Sequence, residues 1–404
     1  MFRSGNWKRF LFDEVDIPLE SVILLIGGMA LLVAGGLLFP ISAGGLPYYE
    51  NGLFGLLLIV FALQTMALGK TPFGDIHRSR SLFAFGLGIA ALGIVTCFIP
   101  GVFGDIPRLL LFICFGLGGL LQLLRSLVDQ RRLRSWLRYG GVFHHLVFAC
   151  FAVYGLSMLA GYVLWTKPAL PAIVPATIML LFGAAVIYLG GVLRLVYRVY
   201  PETAMSRDGA FDIPFDRCLL LLTGVFMILL GALLIPVNLG WLTFAENAQL
   251  GLLMIIFAMQ MIAFGNTPIG PFPHRSLFMV SLGILFAVLG IVSCVIPALL
   301  VAPLTRLVGV LNILGGIIPL GIRLVLSRRS PQANVGHPLL QRLRQTQLTM
   351  NLLSVMFGGS MFIPGLLPGL AVGLILAANG GVLLYLLRIL AVIAVLTNRA
   401  EEPS

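Results

Sequence analysis

Apolar residues in this chain run on without the strict alternation of a half-buried strand and without the one-sided stripe of a surface helix. Uninterrupted hydrophobic segments, each long enough to cross a bilayer, return from one end to the other, separated by short polar stretches. A segment of this kind is stable in lipid only if its backbone groups bond within it, which selects helices; a barrel would show alternation instead. The pattern predicts helices over about 20–40, 52–69, 82–100, 108–125, 142–165 and 174–194, then about 217–236, 248–264, 277–297, 304–326, 347–366 and 370–393. The expected fold is all-α, a polytopic transmembrane bundle of about 12 spans.

The pattern is also written twice. Asp16-Ile17-Pro18 returns at Asp212-Ile213-Pro214, Pro40 at Pro236, Glu50-Asn51 at Glu246-Asn247, and Phe61-Ala62-Leu63-Gln64 at Phe257-Ala258-Met259-Gln260, every pair 196 residues apart. Gly69-Lys70-Thr71-Pro72 returns as Gly265-Asn266-Thr267-Pro268. This predicts two six-helix membrane repeats, residues 1–200 and 201–404. Within each, odd-numbered spans tend to end in an apolar-Pro step (Phe39-Pro40, Ile99-Pro100, Ile235-Pro236, Ile296-Pro297, Ile363-Pro364), with Lys167-Pro168 in the fifth. Proline after a helix end is a stop signal, and its period divides each repeat into three helical hairpins.

Charge orients this arrangement. Only 10% of the residues are charged, against roughly 25% in a soluble protein. Of the 26 lysines and arginines, all but Arg108, Lys167 and Arg306 fall at the termini and in the even-to-odd loops. Positive loops stay on the cytoplasmic side, so both termini are expected there, with the two repeats inserted in parallel. The net charge of +11, including the run Arg131-Arg132-Leu133-Arg134, then implies contact with anionic lipid headgroups rather than with nucleic acid, since no folded basic domain exists to carry the latter. The acidic and basic N-terminal residues and the long first span argue for an uncleaved first helix over a signal peptide. Cys97, Cys114, Cys150, Cys218 and Cys294 form no CxxC pair and read as buried small hydrophobes.

Candidate chemistry is sparse. The acids fall in loops or at helix ends, Glu20 among them, so no mid-span carboxylate relay is expected. No HExxH, phosphate loop, GxSxG or metal-spaced cluster is present; no cofactor, metal or catalytic residue is expected. The candidate binding residues are Glu50, Asn51, Gln64, Glu246, Asn247 and Gln260. The Glu-Asn pairs suit helix capping and the macrodipole, or an acidic mouth that attracts cations. Gln64 and Gln260 sit about 7–8 Å inside the helix stop at 1.5 Å per residue, placed for an interhelical hydrogen bond or for lining a polar path. Gly28 and Gly35, Gly86 and Gly93, Gly224 and Gly231, and Gly283 and Gly290 are each two turns apart and predict faces of close helix packing.

The glycine-rich helix ending in Phe-Pro (Gly35-Gly36-Leu37-Leu38-Phe39-Pro40), followed by a loop and a second apolar helix closing in basic residues, resembles the HdeD-type acid-resistance membrane proteins. That resemblance implies two fused copies of a two-helix-repeat protein tied to stress tolerance in a bacterial inner membrane. The Glu-Asn and Gly-Xaa-Thr-Pro elements depart from it, and it brings no catalytic residues. Two functions are expected: a non-catalytic stress-tolerance or membrane-complex scaffold, acting with membrane-protein partners or as a homo-oligomer; or a transporter or channel for a small solute or ion, its path lying between the repeats and facing Gln64 and Gln260.

Overall fold

The computed structural model describes residues 17–75, 79–129, 138, 141–166, 171, 173–200, 214–267, 270–271, 275–329, 338–363 and 367–401. Lys167-Pro168, Pro364, the Arg131–Arg134 run and most of the segment joining the two repeats lie outside these residues. Twelve helices follow in chain order: α1 (Leu19–Ser42), α2 (Glu50–Leu68), α3 (Arg80–Phe98), α4 (Ile106–Val128), α5 (Val142–Thr166), α6 (Ile173–Val199), α7 (Phe215–Asn238), α8 (Glu246–Phe264), α9 (Leu277–Val295), α10 (Val301–Arg329), α11 (Pro338–Phe362) and α12 (Gly369–Glu401). Two short antiparallel pairs follow α2 and α8: β1 (Lys70–Thr71) with β2 (Gly74–Asp75), and β3 (Asn266–Thr267) with β4 (Gly270–Pro271).

Among the described residues, 11 helices are long and apolar enough to cross a membrane; the chain is a multi-pass helical membrane protein. The exception is α11. It begins nine residues before the predicted span, and its first turns carry Gln341, Arg342, Arg344, Gln345 and Gln347, too polar for a hydrocarbon core.

The helix ends obey the local chemistry in most places. Gly69 and Gly265 close α2 and α8 in the left-handed region (φ 64° and 69°), which only glycine enters freely. Ser79 and Ser276 cap α3 and α9, accepting from the Leu82 and Met279 amides at 3.2 and 3.3 Å. Pro100 and Pro297 follow their helices as predicted. Pro40 and Pro236 do not: α1 and α7 run through them for two more residues. At that point a proline disturbs only the final turn, and its freed carbonyl is taken by a loop amide, Gly45 to Pro40 and Trp241 to Pro236, both at 2.9 Å.

The helices group by contact into two units. One gathers α1–α6 with α8 and α9; the other gathers α10–α12 and nearly all of α7. The sequence division at residue 200 follows the echo, whereas the larger unit also takes in a hairpin from the second copy. That hairpin, α8–α9, and its counterpart α2–α3 are bound by matched contacts. The Tyr49 amide donates to the Val295 carbonyl at 2.8 Å, and the Ala245 amide donates to the Phe98 carbonyl at 2.9 Å. Cys97 lies 3.5 Å from the Gly52 carbonyl, and Cys294 lies 3.8 Å from that of Ala248.

Glycine makes these approaches possible. A Cβ on Gly93 would stand 2.8 Å from the Gly55 carbonyl, and one on Gly290 would stand 2.6 Å from that of Gly251. The same holds between α1 and α6, where a Cβ on Gly28 would meet Ile187 at 2.7 Å and the Gly183 carbonyl at 3.0 Å. In the smaller unit, a Cβ on Gly380 would stand 2.6 Å from the Gly224 carbonyl. Helices meet backbone to backbone here because lipid supplies no hydrophobic force to press larger side chains together. Gly28→Leu should therefore lower stability by about 1–3 kcal/mol, read as a reduced thermal-unfolding midpoint in detergent; an unchanged midpoint would contradict this packing.

Candidate binding site

The first six helices do not close upon themselves. Within the larger unit, α1, α2, α4, α5 and α6 surround a cavity of about 1690 Å³. Its upper walls are apolar, with Leu24, Leu31, Leu57, Phe61, Phe182, Val186 and Leu189 among the lining residues. From Glu20 to Leu31 along α1 is about 16 Å at 1.5 Å per residue, roughly half of a ~30 Å hydrocarbon core.

The foot of the cavity is polar, because four helix ends converge there. Glu20 opens α1, Lys70 follows the end of α2, Arg125 closes α4 and Tyr197 lies in the last turn of α6. Glu20 is 5% exposed. Its two carboxylate oxygens are divided: Lys70 pairs with Oε1, and the Tyr197 hydroxyl donates to Oε2 at 2.7 Å. A buried carboxylate is tolerated only with such partners. Arg125 donates through Nη1 to the Phe73 carbonyl at 3.0 Å, tying the β1–β2 turn to α4.

Halfway up, α4 changes its winding. Residues Ile113–Leu117 form a π turn, which widens the helix and loosens its hydrogen-bond ladder. The Phe115 carbonyl accepts from the Ser157 hydroxyl of α5 at 2.9 Å. The Phe115 ring stands between Phe61 and Phe182, with centroids at 5.1 and 5.4 Å, the second contact edge to face. Tyr154, Ser157 and Gln64 add further polar groups to the lining.

The residues singled out by sequence meet different fates. Gln64 lines the cavity. Gln260, half-buried on α8, lies outside the helices that form it, so the cavity belongs to the first six helices and not to a seam between repeats. Glu50 stands 2.5 Å from Arg108 Nη2, with Arg108 also 5.8 Å over the Phe54 ring; the supposed acidic mouth thus has its own counter-ion. Glu246 is exposed at the start of α8. Neither asparagine caps its helix, since Tyr49 and Ala245 occupy the cap positions. Asn51 is the second residue of α2 and is half-buried. Asn247 is buried and clasps α9 instead, donating to the Ser293 carbonyl at 2.9 Å while the Ser293 hydroxyl donates back to the Asn247 carbonyl at 2.8 Å. In the first copy Thr96 bonds within its own helix, to Leu92.

Glu20 is the residue that sequence reasoning undervalued. It does lie at a helix end, but buried. A signal was available in the echo: Glu20 returns as Asp216, whereas its partner Lys70 returns as Asn266. A charge present in one copy and dropped from the other marks a pairing peculiar to that copy. Comparison with family models, with curated proteins and with solved structures returns no match for this chain.

A double-mutant cycle on Glu20→Gln and Lys70→Met should give a coupling of about 1–3 kcal/mol, measured by chemical or thermal unfolding in detergent. Additive effects would mean that the pair holds nothing together.

Proposed function

We propose that this chain is a non-catalytic membrane protein whose first six helices hold an amphiphile, apolar body among the phenylalanines and polar head at the Glu20–Lys70–Tyr197 foot. The cavity carries this reading. Its volume exceeds the roughly 300–1,000 Å³ common for small-molecule pockets, its walls suit hydrocarbon, and its polar groups gather at one end. A tight scaffold would instead close such a space, because an empty volume forfeits the packing on which a membrane bundle depends.

Between the two functions expected from sequence, this favours the one that handles a small molecule, with the ligand path moved from the seam between copies into the first copy. The arrangement as two parallel six-helix repeats of three hairpins, each with its termini in the cytoplasm, belongs to the same proposal; the paired contacts of α2–α3 and α8–α9 support it. On this orientation the polar foot faces the cytoplasmic leaflet, where the cavity would take up or release its ligand among anionic headgroups. A place among HdeD-type stress proteins fits this picture and rests on the hairpin resemblance.

The test is direct. Protein purified in mild detergent should carry a co-purified amphiphile, identified by mass spectrometry of the organic extract. Leu189→Trp, which fills the apolar wall, should reduce the bound amount by about tenfold, or 1.4 kcal/mol, with the fold retained. An extract without enrichment over the bulk lipid, or occupancy indifferent to Leu189→Trp, would overturn the proposal.

A further inference from the structure

The smaller unit repeats the geometry of the first bundle with different chemistry at its middle. A Cβ on Gly183 would meet the Gly28 carbonyl at 2.6 Å, and a Cβ on Gly380, 197 positions later, would meet the Gly224 carbonyl at the same distance. A Cβ on Gly119 would meet the Tyr154 carbonyl and the Met158 amide; one on Gly316 would meet the Asn351 carbonyl and the Val355 amide, every position again shifted by 197. With helices α10, α11 and α12 thus placed in register with α4, α5 and α6, three aromatic residues that line the first cavity have asparagine counterparts. Phe115 corresponds to Asn312, Tyr154 to Asn351 and Phe182 to Asn379. Ser157 keeps its identity as Ser354.

All three asparagines lie at one depth. Asn312 is 11 residues from the start of α10, Asn351 is 11 from the end of α11, and Asn379 is 10 from the start of α12. At 1.5 Å per residue each is about 15–17 Å from the same end of the bundle, near the middle of a ~30 Å hydrocarbon core. Asn379 is 7% exposed, and its carbonyl oxygen Oδ1 has no hydrogen-bond partner. Asn312 spends one donor on the Val308 carbonyl at 2.9 Å. A buried acceptor left open is unfavourable, and in lipid an amide group is costly unless it finds a hydrogen-bond partner.

We infer that Asn312, Asn351 and Asn379 form a mid-membrane binding site for a small uncharged solute that both donates and accepts hydrogen bonds, of the primary-amide or polyol class. The Asn379 oxygen supplies the open acceptor, and the three amides together offer donors and acceptors. An ion is disfavoured: the nearest charged residues along these helices, Arg306, Arg344 and Arg388, repel a cation, and at six, seven and nine positions, about 9–14 Å along the axis, they are too distant to pair with an anion. A buried ion without a counter-charge is not tolerated at that depth.

The experiment is saturation-transfer NMR on the full-length protein in detergent, with acetamide and glycerol as probes. The wild type is expected to transfer saturation to at least one of them. Asn312→Phe/Asn379→Phe, which restores the aromatic pair of the first bundle, and the milder Asn379→Leu should both lose the signal. Asn379→Leu should hold or raise the thermal midpoint, since it removes an unsatisfied acceptor. Leu189→Trp, which fills the first cavity, should leave the signal intact. No transfer to either probe in the wild type, as for a site that holds only water, would overturn the inference. So would a signal that survives Asn379→Leu, or one that Leu189→Trp abolishes.

Discussion

The close approach of helix backbones at glycine governs this structure. In water, a helix bundle is driven together by burial of its apolar faces. In lipid that force is absent, and what remains is van der Waals contact, strongest where no side chain intervenes. The Gly28–Gly183, Gly55–Gly93, Gly251–Gly290 and Gly224–Gly380 contacts provide it at four helix pairs. Because each pair is locked along one face, the helices cannot rotate to fill space elsewhere. Between these locked faces α4 is widened by its π turn, and a half-open cavity lined by Phe61 and Phe182 remains among α1, α2, α4, α5 and α6.

The two copies divide between conservation of form and divergence of chemistry. Contacts that set helix geometry are kept: the exchanged amide bonds of Tyr49 with Val295 and of Ala245 with Phe98, the left-handed caps Gly69 and Gly265, and the serine caps Ser79 and Ser276. Several interior polar groups differ. The first copy has a buried charge pair at its foot and aromatic rings at mid-depth. The second has Asn266 in place of Lys70 and asparagines in place of the rings. The sequence echo therefore keeps the positions that set helix packing while the side chains at mid-depth change.

Much of the fold was legible in advance, and for definite reasons. Long apolar runs leave few alternatives to spanning helices, so the helix pattern emerges from hydropathy alone, with α11 as the departure because arginine and glutamine occupy its first turns. Glycine spacing of two turns correctly marked packing faces, since period and side-chain size are both written in the residues. The candidate site was legible only in part. Gln64 does line the cavity. Asn247, however, clasps Ser293 where a cap was expected, and Glu50 is matched by Arg108 across 58 positions of chain. Glu20 was passed over because its partners, Lys70 and Tyr197, lie 50 and 177 positions away.

The sequence by itself determined that this is a multi-pass helical membrane protein with a duplicated pattern. These properties follow from composition and period, which are local and additive. Only the tertiary structure decided where an interior stays open, which acid is buried and which amide oxygen lacks a partner. Those depend on which faces meet, and a helix buried in lipid presents much the same apolar pattern whether it faces a neighbour, a cavity or an acyl chain.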